Sequence, residues 1–333
     1  MSHRFRSLTL LTCLLALVAG TAAAQVPQAS SELTKVADDA VVATVDGAPI
    51  RYLDVKRQIL GSLEGRRIPS QALPLVYAQS LDQVIQRKLV MAKLKALKLE
   101  PLPEELKQAE ENFQAGLKAR NKTPEEYFRQ TGFTAADIAE IRYWDICWHR
   151  YSSEQLNDAA LEKYFQSRKR DFDGTELRVS HILLRIEGQQ DQASTPLALE
   201  KAAKIRSEIE AKSITFADAA KKYSSGPSRE QGGDLGFIPR QGRMVEEFSR
   251  AAFALKKGEL SPPVVSPFGV HLITVTEEKP GSVDWRTVRE PLLAAARLNL
   301  FQTLGAELKS AAKIEYTGAI PHFDAAGKIV AGK

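Results

Sequence analysis

The sequence predicts an α+β chain in which a small antiparallel sheet flanked by helices is set into an all-helical domain. Three observations predict it. Over residues 52–172 apolar side chains recur at three- and four-residue steps; at 171–174 that period gives way to alternation through Leu177, Val179, His181 and Leu183; over 284–312 the helical period returns. The last stretch carries Val288, Leu292, Leu293, Leu298, Leu300, Phe301, Leu304 and Leu308. A helix so apolar needs other helices to cover it, so it is expected to pack on the helical first half and make the sheet unit an insertion.

Arg4 and Arg6 precede the apolar run 8–19, and Ala22-Ala23-Ala24 follows it, which is the layout of a secretory signal peptide over 1–24. The run is too short to span a bilayer comfortably. An exported chain, periplasmic or otherwise extracytoplasmic, with no integral membrane segment after signal cleavage, is therefore expected. Cys13 sits inside the apolar run, where a lipid-attachment cysteine does not belong. Removing these residues takes two arginines and no acid from 46 basic and 41 acidic residues, leaving a net charge of +3 without a dense basic block. Nucleic acid is not an expected partner. Cys147 is then the sole cysteine, so no intramolecular disulfide forms, and among Tyr143, Trp144 and Trp148 it reads as a small buried apolar residue.

Residues 25–38, rich in Ala, Ser, Gln and Pro, read as a flexible leader. The helical domain is expected over 39–172, opening with a short β-branched strand, an Asp46-Gly47 turn and a second short strand to Ile50. The clearest helix covers 72–99, with Leu81, Val84, Ile85, Leu89, Leu94 and Leu97 on its stripe and Pro101 and Pro103 beyond it. Thr123-Pro124-Glu125-Glu126 places a capping oxygen, a proline at the first helical position and an acid at the third. Thr134 and Asp137 repeat the device, and Asn157 caps a further helix.

The sheet unit is expected over 175–280. It reads as a strand through His181, a polar loop at 187–196, helices over 197–211 and 215–223, the turn Gly232-Gly233, a helix over 245–255, and strands around Val264 and from 269 to 276. The returning helix occupies 283–316 and a tail 317–333.

In order, the pieces Val179-Ser180-His181-Ile182-Leu183-Leu184, Phe216-Ala217-Asp218-Ala219-Ala220, Gly232-Gly233-Asp234-Leu235-Gly236-Phe237, Met244 with Phe248, and Phe268-Gly269-Val270-His271-Leu272-Ile273 resemble a parvulin-type peptidyl-prolyl cis/trans isomerase. Together with the flanking helical parts the arrangement resembles the exported SurA and PrsA group of chaperones. The resemblance implies an isomerase and folding chaperone acting on unfolded or nascent exported polypeptides.

Rotation about an X-Pro bond meets a barrier of about 18–20 kcal/mol, set by amide resonance. Lowering it calls for an apolar seat for the proline ring and a few fixed polar groups, with no cofactor or metal. By resemblance Leu235, Met244 and Phe248 form the seat, Met244 and Phe248 sharing a face four residues apart on one helix. The resemblance also implies that His181 and His271 stand on adjacent central strands, where two imidazoles can form a hydrogen-bonded chain with nearby hydroxyls such as Ser180. The pair reads equally as packed core histidines. Two histidines without an evident Cys or carboxylate companion fall short of a zinc ligand set.

Two departures bear on activity. Three residues after the aromatic Tyr223, where active parvulins carry Asp or Cys, this chain has Gly226, so Ser225 or Ser224 is the candidate substitute. The loss leaves a second reading open, a non-catalytic relative that binds extended segments containing proline and aromatic residues. The loop Glu187-Gly188-Gln189-Gln190-Asp191-Gln192 lacks the basic cluster that a phosphate would demand, so phosphoserine-proline selectivity is not expected.

Overall fold

The computed structural model of the protein describes residues 36–63, 72–185 and 194–332. The expected signal peptide, most of the leader and the whole of the Glu187 to Gln192 loop lie outside the described residues. No helix among the described residues is long and apolar enough to cross a membrane. The described residues cluster into two compact units, one within 1–157 and 294–333 and one within 158–293.

The first unit opens with strands β1 (Val41–Val45) and β2 (Ala48–Arg51), joined at Asp46-Gly47 and paired antiparallel. Helices α1 (Tyr52–Leu63), α2 (Leu73–Ala96), α3 (Pro103–Ala119), α4 (Pro124–Thr131) and α5 (Ala135–Gln155) follow. The capping signals act as their chemistry requires. The Thr123 hydroxyl accepts from Glu126 N at 3.2 Å while the Glu126 carboxylate accepts from Thr123 N at 3.0 Å. Thr134 and Asp137 exchange the same pair of bonds at the start of α5. Pro103, expected to end the preceding helix, also begins the next one at a position where its missing N–H costs nothing.

Two apolar clusters hold this unit. One gathers Val42, Val45, Ile50, Tyr52, Ile59, Leu81 and Ile85. The other joins Val90 and Leu94 of α2 to Trp144, Cys147 and Trp148 of α5 and to Leu304, with Leu300 and Phe301 packed against it. The last three come from the C-terminal stretch of the chain. The unit also carries strand pairing: a strand at Ile314–Tyr316 adds to β1, giving a three-stranded sheet, and two short strands within the expected tail, His322–Phe323 and Ile329–Val330, pair with each other.

The second unit begins at Asp158, earlier than the expected start at 175. Helices α6 (Asp158–Ser167) and α7 (Lys169–Phe172) belong to it because α7 is tied to its other elements. Asp171 accepts from Arg240 Nε at 2.9 Å, and Arg170 donates to the carbonyls of Phe253 and Leu255 at 3.2 and 2.8 Å. Then come β3 (Glu176–Leu184), α8 (Ser194–Glu210), α9 (Phe216–Tyr223), a 3-10 turn at Arg229–Gln231, β4 (Asp234–Pro239), α10 (Glu246–Ala254), β5 (Val264–Ser266) and β6 (Gly269–Lys279). The four strands form one antiparallel sheet in the order β4-β3-β6-β5. Helix α11 (Arg289–Ala311) and strand β7 (Ile314–Tyr316), then β8 (His322–Phe323) and β9 (Ile329–Val330), complete the chain.

Strand β3 divides its side chains between two cores. Leu177 and Val179 pack with Phe248, Phe253, Ile273 and Val275 against α10, whereas Ile182 and Leu184 pack with Ala202, Ile205, Ala219, Val270 and Leu272 against α8 and α9. A period of two on a strand covered on both faces requires this sorting.

Candidate functional site

His181 lies on the α10 side of the sheet, as the parity of β3 dictates. In the β3–β6 register Leu183 stands opposite His271 and His181 opposite Ile273, so the two histidines are diagonal neighbours. Their Nδ1 atoms are 3.3 Å apart, and the rings lie 22° from parallel with centroids separated by 5.5 Å. Phe248 of α10 meets both edge-on, at 5.7 Å from His181 and 5.4 Å from His271.

The glycine turn fixes His181 from the backbone side. Gly232 and Gly233 have φ of 67° and 86°, and His181 N donates to Gly233 O at 2.9 Å. A Cβ on Gly233 would stand 2.4 Å from the His181 carbonyl oxygen, so only glycine allows this approach. Asp234 then turns the chain by accepting from Gly236 N at 2.9 Å, and Arg178 holds it in an ion pair at 2.8 Å.

On the far side of the pair, His271 Nε2 lies 2.6 Å from Ser266 Oγ, which also accepts the Phe268 N–H at 3.1 Å. Three of the four ring nitrogens are thus committed to hydrogen bonds. Burial pushes both imidazoles down to about 4, with His181 as a further cause for His271, so both are neutral at pH 7. Neutral rings satisfy the chain in two ways. If Ser266 donates to His271 Nε2, His271 Nδ1–H donates to His181 and the His181 proton sits on Nε2; if His271 Nε2–H donates to Ser266, the roles reverse and His181 Nε2 is bare.

That Nε2 atom is buried and has no hydrogen-bond partner among the described residues. It faces Gly226, where an added Cβ would come within 3.0 Å of it. The position lacking a side chain and the one uncommitted ring nitrogen are therefore neighbours.

The remaining expected residues are distributed less simply. Phe248 is buried, and Leu235 and Met244 are half-buried and pack against its cluster. Met244 does not share a helical face with Phe248, because α10 starts at Glu246 after the extended Val245. Arg243 supplies what the helix does not, donating from its two terminal nitrogens to the Leu235 carbonyl at 3.0 Å and to that of Phe237. Ser225 is exposed; its backbone N–H binds Leu183 O at 2.7 Å and no hydroxyl contact links it to the histidines. Ser224 is the buried neighbour, its hydroxyl accepting from Leu183 N and Gly226 N, each at 3.1 Å. Ser180 falls on the opposite face of β3 from His181, as alternation requires.

Ser266 in its stead completes the chain, and sequence reasoning missed it. The signal was present: with Ser266 paired to Gly269 across Pro267-Phe268, Val264 stands opposite His271, and the period of two brings Ser266 back to the histidine face.

Comparison with known proteins identifies relatives of the chain. Residues 160–279 match the family described as PPIC-type PPIASE domain. Over 125 residues, 38% of this chain and 37% of the relative, the sequence is 38% identical to the foldase protein PrsA of Bacillus subtilis (strain 168). It is 31% identical over 216 residues, 61% of this chain and 60% of the relative, to the foldase protein PrsA of Clostridium botulinum (strain Loch Maree / Type A3). It is 39% identical over 147 residues, 42% of this chain and 28% of the relative, to the chaperone SurA of Cupriavidus metallidurans. The chain spans less than two thirds of the length of each. Residues 160–279 accordingly form a PPIC-type parvulin domain, carried by a chain whose relatives are the PrsA and SurA proteins.

Proposed function

We propose that the protein is an exported peptidyl-prolyl cis/trans isomerase and folding chaperone for unfolded secreted or envelope polypeptides. The observation that carries the reading is the neutral imidazole pair in contact with Phe248, whose apolar cluster Leu235 and Met244 pack against, inside a PPIC-type domain. Leu235, Met244 and Phe248 take the prolyl ring out of water. His181 and His271, oriented by Ser266, give that seat a rigid polar floor without a charge, which suits an amide whose twisted state carries none. Acceleration comes from binding the twisted amide better than the planar one.

Gly226 favours the second reading, a parvulin-like chaperone that binds extended proline- and aromatic-containing segments without turning them over. Wild type and Gly226→Asp, assayed for isomerisation of a proline peptide, separate the two. Gly226 does not have the positive φ that would strain an aspartate, though His181 must give way by a few tenths of an ångström. The isomerase reading expects turnover in the wild type and a rise of up to about a hundredfold in the variant, the range of one transition-state hydrogen bond. Turnover only in the variant establishes the binding reading. Export is tested separately by mass spectrometry of the secreted chain, which should begin near residue 25.

A further inference from the structure

Between β4 and α10 the chain runs irregularly through Arg240, Gln241, Gly242, Arg243, Met244 and Val245. Residues 241–244 make no backbone hydrogen bond among the described residues, and Val245 starts α10 without a capping side chain. The backbone therefore does little to hold Met244, although Met244 packs against the Phe248 cluster that Leu235 also joins. Two arginines supply the hold. Arg240 closes the segment on itself, donating from its terminal nitrogens to the two Glu246 carboxylate oxygens at 2.8 and 2.7 Å, and its Nε donates to Asp171 at 2.9 Å. Gly242, with φ of 87°, makes the bend before Arg243. Arg243 then lays its guanidinium on β4, an edge strand, donating to the Leu235 carbonyl at 3.0 Å and to the Phe237 carbonyl. Among side chains the guanidinium alone combines a fixed fork of N–H donors with a charge kept at any working pH.

We propose that Arg243 is a positioning residue for the prolyl-ring seat: it fixes Met244 relative to Leu235 and so sets how tightly the ring is held. It is bonded to the backbone of one seat residue, Leu235, and is the chain neighbour of another, Met244. The proposal rests on the isomerase reading for the identity of the seat, and adds to it the residue that governs substrate affinity. Leu235 and Phe248 are placed by β4 and α10 themselves, so Met244 is the wall whose place depends on a side chain. The hydrogen bonds that orient His181, His271 and Ser266 do not involve the segment. Loss of Arg243 should therefore weaken binding and spare the chemistry.

The test uses the full chain with isotope-labelled methionine methyl groups, observed by nuclear magnetic resonance. Besides Met1 the chain has only Met91 and Met244, so the Met244 methyl is assigned by its loss in Met244→Leu. A short neutral proline peptide should shift the Met244 resonance and leave Met91 unmoved, and its twin with alanine for proline should bind more weakly. Arg243→Ala should displace the Met244 resonance before any peptide is added and weaken the proline peptide about tenfold, the effect of withdrawing roughly two methylene groups of contact. Arg243→Lys keeps the charge without the fork, so it should fall between the two, and it serves where Arg243→Ala does not fold by circular dichroism. Methylguanidinium at millimolar concentration should restore part of the affinity of Arg243→Ala, whereas tetramethylammonium, which has no N–H, should not. In the prolyl assay KM should carry the loss, with kcat within about twofold of the wild type. An Arg243→Ala chain whose Met244 resonance or proline-peptide affinity matches the wild type overturns the proposal, as does a loss in kcat with KM unchanged. A wild type that binds the proline peptide without turning it over counts against the isomerase reading, and the affinities then decide. A wild type that binds both peptides alike overturns the seat reading, and the Met244 resonance in Arg243→Ala then decides whether Arg243 positions that side chain.

Discussion

His181 and His271 put a pH limit on the fold. In the unfolded chain an imidazole takes its proton near pH 6.5; in the folded sheet unit burial delays this to about 4 for each. Between those values the unfolded state binds more protons, so stability that is complete above pH 6.5 is lost as pH falls toward 4. Each pH unit of separation is worth about 1.4 kcal/mol per group. Chemical denaturation of the isolated wild-type chain at pH 7.5 and 4.5 should show a loss of several kcal/mol, and His181→Gln/His271→Gln should flatten the difference. An unchanged slope in the variant would mean that other groups carry the acid sensitivity. At this scale the sequence was a good guide to the strand residues and a poor one to the loops. Parity alone brings the histidines to one face, whereas Ser225 and Ser224 differ by a single step in an irregular segment, where no period decides which hydroxyl turns inward.

Among the elements, the glycine turn between the 3-10 turn and β4 is held tightly against the site. Gly233→Ala would force a side chain with φ near 86° against the His181 carbonyl, and the clash is with backbone that cannot rotate away. The expected loss is more than about 2 kcal/mol, together with lost isomerase activity, read as a lowered unfolding midpoint and a weaker prolyl-peptide assay. Gly236→Ala, where an added Cβ meets nothing within 4 Å but φ is also positive, should lose less and keep the imidazole pair in place. Equal losses would show that backbone strain, and not the approach to His181, governs the turn. The helices α4 and α5 were legible to the residue at their starts because Thr123 and Thr134 each accept the predicted capping bond. The start of α10 was misplaced by a residue because Val245 offers no capping side chain, and with it went the helical account of Met244.

For the chain as a whole, the first unit depends on residues far downstream. Leu304 with Leu300 and Phe301 of α11 packs on Trp144 and Trp148, and β7 pairs with β1 through Ala43, Thr44 and Val45. A chain ending at residue 281 should therefore lose the near-ultraviolet circular dichroism of Trp144 and Trp148 and unfold without cooperativity in that unit. Adding back residues 282–333 as a separate peptide should restore part of the signal; an unaltered tryptophan spectrum in the truncated chain would contradict the packing. The apolar period of residues 284–312 announced this dependence. The sheet contributed by β7 was not announced, since three residues are too few to show any period.

The two-sided character of β3 has a consequence for how such a gene can vary. Deleting one codon between Leu177 and His181 would turn every side chain upstream of the lesion to the opposite face, sending residues shaped for one core into the other. Inherited length changes should therefore collect in the connecting loops, while the spacing from Leu177 to Leu184 stays frozen even where the letters drift.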